Sequence, residues 1–147
     1  MGYLKAFAAG ILATVAFHQV VIAALHAAGL TSIVPYSLEP TAPFGVPAVV
    51  SMALWGGVWG ALLWRFVGRL GPPRVFWTWA VLLGATCPTL VTLFVVSPLK
   101  HMPVAFGWDV WAILGAVLVN AAWGFGFALF VTVASRLSAA KRSVRAR

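Results

Sequence analysis

The chain has 147 residues, of which 63% are hydrophobic and 8% charged, and its mean hydropathy of +1.01 excludes a water-soluble globular domain. Below about 200 residues a single domain is expected, and apolar stretches occupy so much of this one that no separate soluble domain fits. A net charge of +8 would suggest nucleic acid in a soluble protein, but here the basic residues flank apolar segments, so they are topology signals and nucleic acid is not a partner.

Four stretches are long enough to cross a hydrocarbon core of about 30 Å at 1.5 Å per residue. They predict an all-α fold, an integral membrane bundle of four transmembrane helices over residues 1–137. The first span, 4–28, is too long and too polar at its far end for a signal peptide, lacks a cationic start beyond Lys5 and is followed by three more spans, so it is a helix of the mature protein. The connection after it carries Pro35, Pro40, Pro43 and Pro47 with Tyr36, Leu38 and Phe44, a composition for stiff, extended backbone lying back over the helix ends as a cap.

The second span, 47–66, runs into a short basic turn with Arg65, Arg69, Gly71, Pro72, Pro73 and Arg74, which leads to the third span, 75–97. The single cysteine, Cys87, excludes an internal disulfide and any multi-cysteine metal site. The next connection, 98–109, has Lys100 as its one basic residue, and the fourth span, 110–135, is followed by Arg136, Lys141, Arg142, Arg145 and Arg147. A basic tail, 138–147, without acids or large apolar residues is expected to be disordered or to lie on anionic headgroups. The charge asymmetry places both basic flanks in the cytoplasm of a bacterial-type inner membrane, giving an N-in/C-in topology with both termini cytoplasmic.

Each half also runs helix, outer loop, Phe-Gly, helix with Trp-Gly, then arginine: Phe44-Gly45, Trp55-Gly56 and Arg65 against Phe106-Gly107, Trp123-Gly124 and Arg136. Two tandem helical hairpins inserted the same way round would be related by an axis along the membrane normal. The spacings differ between the halves, so chance similarity is an equal alternative.

The strings Ala16-Phe17-His18-Gln19, Pro43-Phe44-Gly45-Val46-Pro47 and Trp55-Gly56-Gly57-Val58-Trp59-Gly60 resemble those of a family of small, uncharacterised four-helix inner-membrane proteins of proteobacteria. The resemblance covers most of the first half and part of the second. It implies the four-helix topology and transfers no catalytic residue.

Counted from the outer ends of the spans, His18, Gly56, Gly57, Thr86, Cys87 and Asn120 all lie about ten residues in, roughly 15 Å deep. Thr14 and Gln19 adjoin His18, and Thr89 shares the face of Thr86. Pro88 removes the donor to the Gly84 carbonyl and kinks its helix, leaving an acceptor that Thr89, Gln19, His18 or Asn120 could satisfy. The bland reading of this layer is glue between helices, with Gly56 and Gly60 as a GxxxG contact face. The functional reading is a ligand site at His18, Gln19, Thr86 and Asn120, holding a quinone, lipid, carotenoid or haem, because a histidine inside a membrane is costly. A bis-histidine haem would need a second histidine at that depth, and His26 and His101 lie near the outer surface.

The only acids, Glu39 and Asp109, fall outside with His26, Lys100 and His101. Glu39 could pair with Lys100 across the outer loops, and the ligand types suit a metal although their spacing does not. No Ser/His/Asp set, P-loop or dinucleotide fingerprint is present. Among the tryptophans, Trp55, Trp59 and Trp123 lie deep beside glycines, where packing is the default role. The composition as a whole favours a non-enzymatic accessory or scaffolding subunit of a membrane complex, or a homo-oligomer, with the bilayer as its main partner. The alternatives are a binder around His18 and a small channel or transporter.

Overall fold

The computed structural model describes residues 2–145. Among them four helices are long and apolar enough to cross a membrane, Tyr3–Ala27, Ala48–Val67, Pro73–Leu99 and Val110–Lys141, and the last continues as one helix to Arg145. The remainder is two connections at one end of the bundle and a short turn at the other.

Local chemistry sets the helix ends. Pro72 and Pro73 open the third helix, where a missing N–H costs nothing. Asp109 caps the fourth, its Oδ1 accepting the Trp111 and Ala112 N–H groups at 2.9 and 3.2 Å. The first helix ends in a Schellman turn: Gly29 has φ +71°, Leu30 N–H donates to the Leu25 carbonyl at 2.9 Å, and Gly29 N–H to that of His26 at 3.0 Å. The third ends in the same pattern, with Met102 N–H on Ser97 at 2.9 Å and His101 N–H on Pro98 at 3.0 Å. Here His101, at φ +56°, holds the left-handed position. A side chain there costs about 1 kcal/mol that glycine does not. His101→Gly is therefore expected to raise stability by about that amount, measured as a higher unfolding midpoint in detergent.

The first helix packs on the second and the fourth, the third packs on the fourth, and the second and third touch only lightly. Small residues permit the closest approaches. A Cβ on Gly60 would lie 2.6 Å from the Ala6 carbonyl oxygen and 3.0 Å from the Gly10 Cα; one on Gly124 would lie 2.7 Å from the Ala80 carbonyl oxygen and 3.3 Å from the Gly84 Cα. The core between these pairs is built from Ala6, Ala9, Ala13, Ala80, Trp123 and Phe127 with their neighbours. Without water to drive apolar groups together, such backbone proximity is the main source of helix–helix attraction in lipid.

Two helices contain wide turns. Thr14–His18 and Thr92–Val96 adopt π geometry, each absorbing an extra residue. In the connection after the first helix, Pro40–Thr41 and Val46–Pro47 form a two-residue antiparallel pairing, Pro40 opposite Pro47 and Thr41 opposite Val46. The connection after the third is a left-handed turn through Ala105, Phe106, Gly107 and Trp108.

For the stretch from Ser138 onward, expected to be disordered or to lie on anionic headgroups, the described residues through 145 are helical. The fourth helix simply extends, with the Ser138 hydroxyl bonding the Ala134 carbonyl at 2.8 Å and Lys5 Nζ donating to Ser138 Oγ at 3.1 Å. Residues 146 and 147 of the expected tail lie outside the described residues.

Candidate functional site

One buried polar node is centred on the Gly10 carbonyl. It accepts the Thr14 N–H, the Thr14 hydroxyl at 3.0 Å, and the Trp123 indole N–H at 3.0 Å from across the bundle. Thr14 and Trp123 are both buried, so this node joins the first helix to the fourth where no water competes for the donors.

The π turn that follows changes the next bonds. Gln19 N–H donates to the Thr14 carbonyl instead of its α-helical acceptor on Val15. The Val15 carbonyl takes the Tyr36 hydroxyl at 2.9 Å, and the Tyr36 N–H donates to Gln19 Oε1 at 2.7 Å. Gln19, fully buried, also places its Nε2 3.4 Å from Met52 Sδ on the second helix. Tyr36 thus latches the connection onto the outer half of the first helix, fastened at both its backbone and its hydroxyl. Tyr36→Phe is expected to cost about 1 kcal/mol and to speed amide exchange in the 31–41 stretch, read by hydrogen-exchange mass spectrometry; unchanged exchange would mean that the hydroxyl holds nothing.

The other polar groups are arranged separately. Asn120 Nδ2 donates to Thr89 Oγ1 at 2.9 Å, and Thr89 Oγ1 reaches the Ala116 carbonyl at 3.5 Å, linking the third and fourth helices. Thr86 is exposed on the outside of the bundle, with its hydroxyl on the Leu82 carbonyl at 2.8 Å. Three of the four residues expected to share one site therefore fall into three places: Gln19 with Tyr36, Asn120 with Thr89, and Thr86 facing outward. His18 ends the π turn, and among the described residues its buried Nδ1 has no hydrogen-bond partner.

The outer polar residues are likewise dispersed. His26, Glu39, Lys100, His101 and Asp109 are all exposed, and among the described residues no three His, Cys, Asp or Glu side chains come together to hold a metal. The Glu39–Lys100 pair does not form among them either. Asp109 is engaged as the helix cap and His101 sits in the left-handed turn, while Glu39 contributes its carbonyl to Ala48 N–H at 2.9 Å. Tyr36 and Trp123 escaped the sequence reading as polar anchors. The signal for Trp123 was that an indole N–H at membrane depth needs an acceptor.

Fold and site together define a four-helix protein of membrane-spanning proportions whose buried polar groups serve mainly to join helices. No protein-family model matches the chain, and no curated protein or solved structure is detectably similar to it.

Proposed function

We propose that the chain is a non-enzymatic, multi-pass protein of a bacterial-type inner membrane, N-in/C-in, acting as an accessory or scaffolding subunit of a membrane complex or as a homo-oligomer. One observation carries this reading: Gln19, Thr89, Asn120 and Trp123 bond to one another's helices or to a covering loop rather than converging on a common cavity. A bundle tied in this way is a rigid body, and rigidity suits a structural subunit. The orientation rests on the basic flanks, with Lys5 beside Ser138 bringing the two termini of the bundle to one side. Relationship to the small proteobacterial family belongs to the same proposal.

Tandem hairpins are supported by the matching close approaches, Ala6 and Gly10 on Gly60, Ala80 and Gly84 on Gly124. Aligned on these, Ala48, Leu54, Trp59, Gly60, Phe66 and Val67 coincide with Ala112, Leu118, Trp123, Gly124, Phe130 and Val131. The better equivalence is thus Trp59-Gly60 with Trp123-Gly124, in place of Trp55-Gly56.

Gentle extraction from native membranes followed by native mass spectrometry tests the subunit reading. A homo-oligomer or a stoichiometric complex with another membrane protein is expected, and a sharp lone monomer would count against it. The orphan Nδ1 of His18 favours a second reading, a bound quinone, carotenoid or haem. A visible spectrum and the native mass spectrum of the same sample, compared with His18→Ala, decide it: loss of a co-purifying ligand supports the second reading and full retention sinks it.

A further inference from the structure

Charge is segregated along the bundle. Lys5, Arg65, Arg69, Arg74, Arg136 and Lys141 stand at one end, whereas Glu39 and Asp109, the only acidic side chains of the chain, belong with Lys100 to the connections at the other. No acidic side chain of the protein can therefore neutralise the basic end, and its counter-charge comes from outside the chain.

Within that end the turn between the second and third helices is distinct. Its cations are all arginines, Arg65, Arg69 and Arg74 within ten residues, whereas Lys5 and Lys141 belong to the side formed by the first and fourth helices. Lysine and arginine serve equally as topology signals, but a guanidinium offers a phosphate two parallel N–H donors and an ammonium does not. All three arginines are exposed. The backbone that carries them is held from behind. The Trp64 and Phe76 rings meet edge to face at 6.5 Å, Gly68 N–H donates to the Trp64 carbonyl at 2.9 Å, and Leu70 N–H donates to that of Val67 at 3.0 Å. Pro72 and Pro73 then fix φ on the way into the third helix. A turn held in this way loses little freedom when it binds.

Length puts the arginines at the level of lipid phosphates. The second helix, Ala48–Val67, has 20 residues and rises about 29 Å, which matches a hydrocarbon core of about 30 Å. With Ala48 at one boundary of the core, the turn emerges among headgroups at the other. It also bridges two helices that touch only lightly.

We propose that the turn at 65–74 is a binding site for the phosphate of an anionic phospholipid, gripped by Arg65 and Arg69 from the side of the second helix and by Arg74 from the third. A zwitterionic lipid has the same phosphate but brings its own cation, which opposes the arginines, so the anionic headgroup is selected and any acyl chain serves. The site requires only that the bundle spans a bilayer with its basic end at one surface, as proposed above, so its failure would leave the subunit reading standing.

The full-length protein in nonionic detergent and about 0.15 M ammonium acetate, where charges more than about 8 Å apart are screened, is titrated with phosphatidylglycerol or phosphatidylcholine. Native mass spectrometry reads the lipid bound per chain. Phosphatidylglycerol should bind the more tightly, and inorganic phosphate at the same concentration should leave it in place. Arg69→Gln combined with Arg74→Gln should weaken it about 25-fold, about fivefold for each arginine, with helix content unchanged. Lys5→Gln combined with Lys141→Gln removes the same charge from the first and fourth helices and should change binding less than about twofold. Equal affinity for the two lipids, equal losses in the two double variants, or displacement by inorganic phosphate overturns the proposal.

Discussion

Gly10→Leu is expected to destabilise the bundle by about 3 kcal/mol, the upper part of the range for overpacking a filled site. At Gly10 a Cβ would run into the Gly56 carbonyl group and stand 3.1 Å from the Gly57 Cα. Both are backbone atoms of a regular helix, so no side chain can swing away, and the second helix must move bodily. That movement also pulls Gly60 away from the Ala6 carbonyl and opens the most extensive contact the second helix makes among the described residues. Titration of the purified protein with SDS from mild micelles measures the effect as a lower unfolding midpoint. Gly115→Ala is the control, since the nearest atom to its added Cβ is Leu25 Cδ1 at 4.0 Å, and it should be neutral or slightly stabilising through helix propensity. Equal midpoints for Gly10→Leu and the unaltered chain would mean that the first and second helices are not in backbone contact.

The four helices were legible because hydrocarbon thickness fixes how many apolar residues a span needs, and prolines and basic residues mark where each begins or ends. The fourth helix was underestimated because hydropathy stops at Ser135, while helix formation does not. Once nucleated at Val110, it propagates through Leu137, Ala139, Ala140 and Lys141, all good helix formers, at no nucleation cost. Depth within a span could also be counted along the sequence. Direction around the helix axis could not, because the π turn at Thr14–His18 inserts a residue and rotates everything after it relative to a 3.6-residue reading. Thr14 and His18 therefore do not stack as an i, i+4 pair would, and Gln19 is carried to Met52 and Tyr36. Tyr36 itself was out of reach, because its left-handed backbone, φ +52°, aims the ring back along the helix from a loop with no periodicity to read.

Trp123→Ala is expected to cost about 3 kcal/mol, the lower end of the range for removing a buried large aromatic. The ring is 3% exposed and stacks on Phe127 with centroids 5.8 Å apart, so its loss leaves a void among Ala9, Ala13 and Ala80, which are too small to fill it. The cost stays at the lower end because Trp123 also lines an open cleft with Trp59, Leu63, Cys87 and Pro88, so the void opens toward lipid and hydrocarbon can enter. Trp123→Phe keeps most of the ring and removes the donor to the Gly10 carbonyl, a loss of about 1 kcal/mol. Thr14→Val removes the hydroxyl donor to the same oxygen and should cost less, because the Thr14 N–H and the indole remain. The double change leaves Gly10 with the Thr14 N–H alone, at a depth where water is absent. Three donors share one carbonyl, so each partly substitutes for another, and the double variant should lose more than the sum of the two single losses, by about 0.5 kcal/mol or more. Strict additivity in the same SDS titration would show that the indole and the hydroxyl act on separate acceptors, and the node joining the first and fourth helices would have to be abandoned.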